Sequence, residues 1–153
     1  MKVKIDIDEN LIENEIIIRC SQLDEKVQKT YDTLMDLTKE SKHLMLYKGN
    51  VEYFLSIDRI LFFETTENCI SAHTADNVFE TTYRLYELED LLPGYFMRVS
   101  KSTILNLNHI YSISRNLTAS SEVQFMNTHK QVYVSRYYYK SLKYRLEEKR
   151  RSI

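Results

Sequence analysis

The spacing of hydrophobic residues along this chain changes period more than once, and each change marks an element. Residues 2 to 7, KVKIDI, alternate charged positions with Val3, Ile5 and Ile7, and EIIIR (15 to 19) is a β-branched run, so both predict strands. From Leu23 the spacing lengthens to three and four, through Val27, Tyr31, Leu34 and Leu37 or Thr38. That predicts an amphipathic helix of about four turns ending near Lys39, opened by a capping box in which Ser21 stands three residues before Asp24. From His43 short β runs take over: LMLYK, VEYFLS, ILFFE, CISAHT and NVFETT, with Gly49-Asn50 and Asp76-Asn77 as hairpin turns. Residues 84 to 92, RLYELEDLL, place Leu85, Leu88, Leu91 and Leu92 on one helical face, and Pro93-Gly94 stops them. Four more β runs follow, YFMRVS, TILNLNHIYSIS, SEVQFMN and KQVYVS. The closing RYYYKSLKYRLEEKRR, with Tyr138, Leu142 and Leu146 four apart, predicts a short basic helix.

Many short strands joined by polar turns favour stacked sheets over alternating βα units. The expected fold class is mainly β with short helices, α+β overall: an N-terminal β-α extension (1 to 41) followed by a β-rich domain (42 to 153). At 153 residues a core of ordinary size is available without staples. Cys20 and Cys69 have no CxxC spacing and read as reduced thiols. Two glycines argue against a phosphate loop, and His43, His73, His109 and His129 lack metal-ligand spacing, so neither cofactor nor metal is expected. Glu64 with Glu67, and Asp6 with Asp8 and Glu9, are paired carboxylates. Acid–base catalysis also needs a pocket and a substrate, and nothing else in the chain points to either, so no enzyme and no small-molecule substrate is expected. No continuous apolar run suggests a signal peptide or a membrane span, which predicts a cytoplasmic protein.

Charge is unevenly distributed. The net −1 divides into −3 for residues 1 to 45, −6 for 46 to 95 and +8 for 96 to 153. Segregation on that scale draws a polyanion to the basic part while the acidic part faces away. No helix-turn-helix spacing is visible, so recognition of DNA by this domain has to use loops or strand ends.

The run IDRILFFETTENCISAHT, the stretch LYELEDLLPGYFMRVSKSTILNLNHIYSIS and the closing KQVYVSRYYYKSLK resemble, in order and spacing over about residues 43 to 146, the LytTR DNA-binding domain family. The resemblance implies layered antiparallel sheets whose loops enter successive major grooves from one side of the duplex, at promoter sites that are imperfect direct repeats. Carried over residue by residue, Arg98, Ser100, Lys101 and Ser102 of RVSKS occupy the contact loop, with Ser100 replacing the family's common histidine. Arg136 matches the arginine after the last strand, and its forked donors suit guanine O6 and N7. Asn68, or Cys69 in a loop one residue longer, falls in a third contact loop. Tyr137 and Lys140, at the start of the C-terminal helix, complete the candidate set. Asn106 and Asn108 read as loop-fixing groups.

About 41 residues cannot hold the receiver domain that many such regulators carry, so the resemblance implies a stand-alone bacterial transcription regulator. Its implied partners are double-stranded DNA, a second copy as a homodimer on DNA, and a small membrane protein acting as inhibitor. Basic residues interleaved with tyrosines also fit an RNA-binding module, and the basic C-terminal face fits a protein-interaction module. Three consecutive tyrosines, Tyr137 to Tyr139, cannot share one helix face, so at least one is expected in the core.

Overall fold

The structure, a computed structural model, describes residues 1–12, 14–38 and 42–151. The chain divides into two compact units, Met1–Lys39 and Glu40–Ile153. The expected helix end at Lys39 and the expected domain boundary at residue 41 lie outside the described residues.

In the first unit one helix forms, α1 (Glu25–Thr38). Asp24 is its N-cap, accepting the Val27 N–H on Oδ1 at 2.8 Å. The expected Ser21 cap is therefore displaced by three residues, because Asp24 itself carries the short acceptor that the first turn needs. The two strands expected over 2 to 7 and 15 to 19 do not form ladders among the described residues. Alternation makes a segment able to pair but supplies no partner, and Val3, Ile5, Ile7, Ile16 and Ile17 stay exposed.

Among its described residues the second unit carries ten strands and two α-helices: β1 (His43–Lys48), β2 (Val51–Ser56), β3 (Phe62–Thr66), β4 (Cys69–His73), β5 (Val78–Thr81), α2 (Leu85–Leu91), β6 (Phe96–Arg98), β7 (Thr103–Asn106), β8 (Ile110–Ser114), β9 (Ser121–Phe125), β10 (Gln131–Val134) and α3 (Arg136–Arg151). A seven-stranded antiparallel sheet runs β2-β1-β5-β4-β3-β7-β6, and a three-stranded one runs β10-β9-β8. Gly49 makes the β1–β2 turn at φ 60°, a left-handed conformation that glycine reaches without a Cβ clash.

Two cores follow from the period-2 geometry of β3 and β7. Phe63 and Ile104, paired across the ladder, face one side with Leu46, Phe79, Leu85 and Leu88. Phe62 and Leu105, the next pair, face the other side with Val123, Phe125, Val134 and Leu142. Strands β3 and β7 are thus buried on both faces, which is why ILFF and TIL read as continuous apolar runs rather than alternations. The layers run from α2 through the large sheet to the small sheet and α3, each fully buried Leu, Ile or Phe contributing about 1.5–3 kcal/mol of transfer free energy.

The run TILNLNHIYSIS, expected as one strand, breaks into β7 and β8 at a 3-10 turn, Leu107–His109. The cause is Asn106, fully buried, whose Nδ2 donates to the Ile60 carbonyl at 2.9 Å and whose Oδ1 accepts the Asn108 N–H at 2.9 Å. On α2, Leu85, Leu88 and Leu92 are buried but Leu91 is exposed, because the helix ends there and Leu92 already leaves it with extended backbone. The C-terminal helix is not short: its 16 residues make it the longest described, with Leu142 in the core and Tyr138, Tyr139 and Leu146 packed against it.

Candidate nucleic-acid interface

Three connections at one edge of the second unit are tied together by main-chain hydrogen bonds. The β3–β4 hairpin closes on the Thr66–Cys69 pair, so Glu67 and Asn68 form a two-residue turn with Asn68 exposed and Cys69 inside β4. Thr65 N–H, one residue below the closing pair, donates to the Ser102 carbonyl at 2.8 Å in the β6–β7 loop. At the other flank of that loop Ser135 N–H donates to the Val99 carbonyl at 2.9 Å, which sets Arg136, the first residue of α3, beside it. The three segments therefore form a row, with the 99–102 loop in the middle and Asn68 and Arg136 in the outer members.

The middle loop is shaped from within. Val99 N–H donates to the Thr103 carbonyl at 3.0 Å, and Ser100 Oγ accepts the Ser102 N–H at 3.2 Å and lies 3.3 Å from Ser102 Oγ. Arg98 turns back under the loop: Nε donates to the Ser100 carbonyl at 3.0 Å, Nη2 to the Lys101 carbonyl, and Nη1 to Glu89 Oε1 of α2 at 3.1 Å. With all three guanidinium nitrogens engaged, Arg98 holds the loop's carbonyls, and Ser100 is likewise spent on the turn.

Lys101, by contrast, is exposed and its Nζ has no hydrogen bond or ion pair with another described residue. The same holds for the side chains of Asn68, Arg136 and Lys140. Tyr137 is 84% exposed, its ring edge-on to Tyr138 at 4.9 Å, whereas Tyr138 and Tyr139 pack against the second core, so two of the three tyrosines are structural. Glu67, paired with Glu64 in the sequence, stands next to Asn68 in the turn as an exposed carboxylate. A groove of about 800 Å³ opens beside this turn, lined by Tyr47, Asn68, Glu80 and Arg84 among others, and it is open to solvent. Among the described residues no group of histidine, cysteine and carboxylate side chains could hold a metal ion, and no helix is long and apolar enough to cross a membrane.

One titratable group lies between the sheets at the end of the β3–β4 hairpin away from its turn. His73 of β4 stacks on Phe62 at 4.2 Å and 13°, and Lys130 Nζ approaches its Nδ1 at 3.4 Å. Burial, reinforced by the Lys130 charge, lowers the His73 pKa from 6.5 to about 4. The ring is neutral at pH 7, so Glu64 Oε2 at 3.9 Å from Nε2 is not an ion-pair partner, and Nε2 is left without a hydrogen bond.

Comparison with known proteins identifies this architecture. The LytTr DNA-binding domain matches residues 51–147, and the chain belongs to that family, a DNA-binding class rather than an enzyme class. An HTH-type transcriptional regulator of Staphylococcus aureus strain NCTC 8325 is 31% identical over 146 residues, covering 95% of this chain and 98% of the relative. A counterpart from the bovine strain RF122 is 32% identical over the same length. A solved LytTr DNA-binding domain of a methyl-accepting/DNA response regulator from Bacillus cereus superposes with a TM-score of 0.62 at 23% identity, covering 71% of this chain and 98% of that one. That likeness carries the fold of stacked antiparallel sheets. The relatives' names speak of a helix-turn-helix, yet here strands separate every pair of consecutive helices: β1 to β5 lie between α1 and α2, and β6 to β10 between α2 and α3.

Proposed function

We propose that this protein is a cytoplasmic transcription regulator that binds duplex DNA in a sequence-specific way through the row formed by Asn68, the 99–102 loop and Arg136. The observation that carries this is the pair of main-chain bonds, Thr65 to Ser102 and Ser135 to Val99, which gather three connections distant in sequence onto one edge. That edge presents side chains with no other described partner.

The roles follow from chemistry and order in the row. Arg136 and Asn68, at the outer positions, read base edges in successive major grooves: a guanidinium fork on guanine O6 and N7, a carboxamide on adenine N6 and N7. Between two successive major grooves on one side of the duplex lie backbone ridges, so Lys101, in the middle, meets phosphate. Glu67 repels phosphate, which makes its turn a reader of bases rather than a neutraliser of backbone. Lys140, one turn along α3 from Arg136, adds a phosphate contact, and Tyr137 packs its exposed ring on the sugar-phosphate edge. Arg98, Ser100 and Ser102 position the middle loop. Two copies on a direct repeat form the functional homodimer on DNA, and the resemblance adds a small membrane protein as the restraining partner.

Selection from a random duplex pool with the full chain tests this. The expected product is a motif of two similarly oriented half-sites spaced by about 10–10.5 bp or a multiple, bound with a salt slope of about −0.9 per phosphate neutralised. A pool that enriches no motif, or binding that single-stranded RNA competes away as well as duplex does at matched salt, would overturn the proposal.

A further inference from the structure

The segment Lys2–Ile7 alternates charged and apolar residues as a strand does, yet among the described residues it has no ladder partner, and Ile5 is 88% exposed. The second unit has a matching vacancy in its pairing. Strand β2 is the outermost strand of the seven-stranded sheet, so the backbone groups along one of its sides are unpaired. On its core-facing side Leu55 is buried, but Tyr53 and Val51 remain partly open although the Tyr53 ring lies 5.1 Å from Phe79. On its outer side stand Phe54, 71% exposed, and Glu52, which is registered opposite Tyr47 of β1, itself opposite Glu80 of β5.

We propose that Lys2–Ile7 of one copy of this chain adds as a further strand to the β2 edge of a second copy. Running parallel to β2, Val3, Ile5 and Ile7 then continue the face of Val51, Tyr53 and Leu55, and Lys2, Lys4 and Asp6 fall on the outer face, with Lys4 beside Glu52 and Asp6 beside Phe54; the antiparallel order would set Asp6 against Glu52. The charge pattern fixes the facing: a one-residue slip would bring the lysines against Tyr53 and leave the isoleucines beside Glu52. Length selects the edge as well. Strand β2 has six residues, as the arm does, against three in β6 at the opposite edge of its sheet, and four in β10 and five in the irregularly registered β8 at the edges of the small sheet. Main-chain hydrogen bonds supply affinity and the alternate side chains supply specificity, as in other strand additions. The contact is arm to edge, and two such contacts made reciprocally close a dimer. It uses no residue of the DNA-reading row, so its failure leaves the proposed function standing.

The test is sedimentation velocity on the full chain without DNA. Wild type is expected to form a dimer that Ile5→Asp converts to monomer, since Ile5 is exposed and its replacement disturbs no core. Phe54→Pro is expected to do the same. Lys48 and Val51 close the two-residue turn as a bonded pair, so the Phe54 N–H points away from β1 and its loss costs the sheet no existing bond. Circular dichroism reports that both variants are folded. A wild-type chain that stays monomeric across the concentration range, or a dimer that survives Ile5→Asp, overturns the proposal. So does a monomer in which amides 2–7 are protected from hydrogen exchange, which would put the arm on its own chain.

Discussion

Arg98 offers a way to separate holding a loop from touching DNA. Arg98→Ala removes three charge-assisted hydrogen bonds, two of them to carbonyls of the 99–102 loop and one to Glu89. The Glu89 pair is partly solvated, with the arginine side chain 25% and the glutamate 42% exposed, and contributes little. The two carbonyl bonds are of the class worth about 1.5–3 kcal/mol each, but the freed carbonyls can turn to water, so the net loss is about 1–3 kcal/mol. If the loop must be in its ordered form to dock, affinity falls by the same free energy, roughly 5- to 150-fold. No phosphate contact is lost, so the slope of log K against log salt stays that of wild type. Arg98→Lys keeps the charge without the fork and stays defective. Fluorescence-anisotropy titrations of wild type and both variants on one duplex at four salt concentrations give affinity and slope together. A slope lowered by about one would make Arg98 a phosphate contact, and unchanged affinity would show that the loop needs no support.

Two further outcomes are expected. Lys101→Ala should weaken selected and random duplex by similar factors and lower the salt slope by about one, measured in the same titrations; a loss confined to the selected site would make Lys101 a base reader. His73 has a folded-state pKa of about 4 against an ordinary 6.5, so between these values the unfolded chain takes the proton that the folded chain refuses. Stability is unaffected by this group above pH 6.5 and falls as pH drops from 6.5 to 4, by a total on the order of 3 kcal/mol. Urea denaturation across that range should show the loss in wild type and a smaller one in His73→Gln, and parallel curves for the two proteins would contradict it.

How much was legible beforehand depended on whether the cause was local. Short apolar β runs bounded by turns, and leucine and tyrosine spacings of three and four, placed β1 to β10, with β7 and β8 as a single run, and both helices of the second unit to within a few residues, because each element there buries one side or both. The same signal misplaced strands at KVKIDI and EIIIR, since pairing needs a partner that the segment does not contain. The break between β7 and β8 was hidden because Asn106 acts through Ile60, 46 residues away in the sequence. Within the candidate site, motif position alone nominates Arg136, Lys101 and Asn68, and the structure shows their side chains exposed. That Arg98 and Ser100 are engaged in holding the loop is not legible there, because their partners, two loop carbonyls, Glu89 and the Ser102 N–H, carry no sequence signature. The row itself rests on bonds from Thr65 to Ser102 and from Ser135 to Val99, 37 and 36 residues apart, and only the folded sheets show it.

The most direct measurement on the central claim compares Arg136→Ala with wild type on a selected duplex and on random duplex of equal length, at several salt concentrations, with circular dichroism to confirm the fold. A bidentate base contact predicts a loss of about 1–3 kcal/mol on the selected site and a much smaller loss on random DNA, so the specificity ratio collapses. Equal losses on both duplexes would deny Arg136 its role as a base reader, and no loss on either would move the binding surface away from this edge.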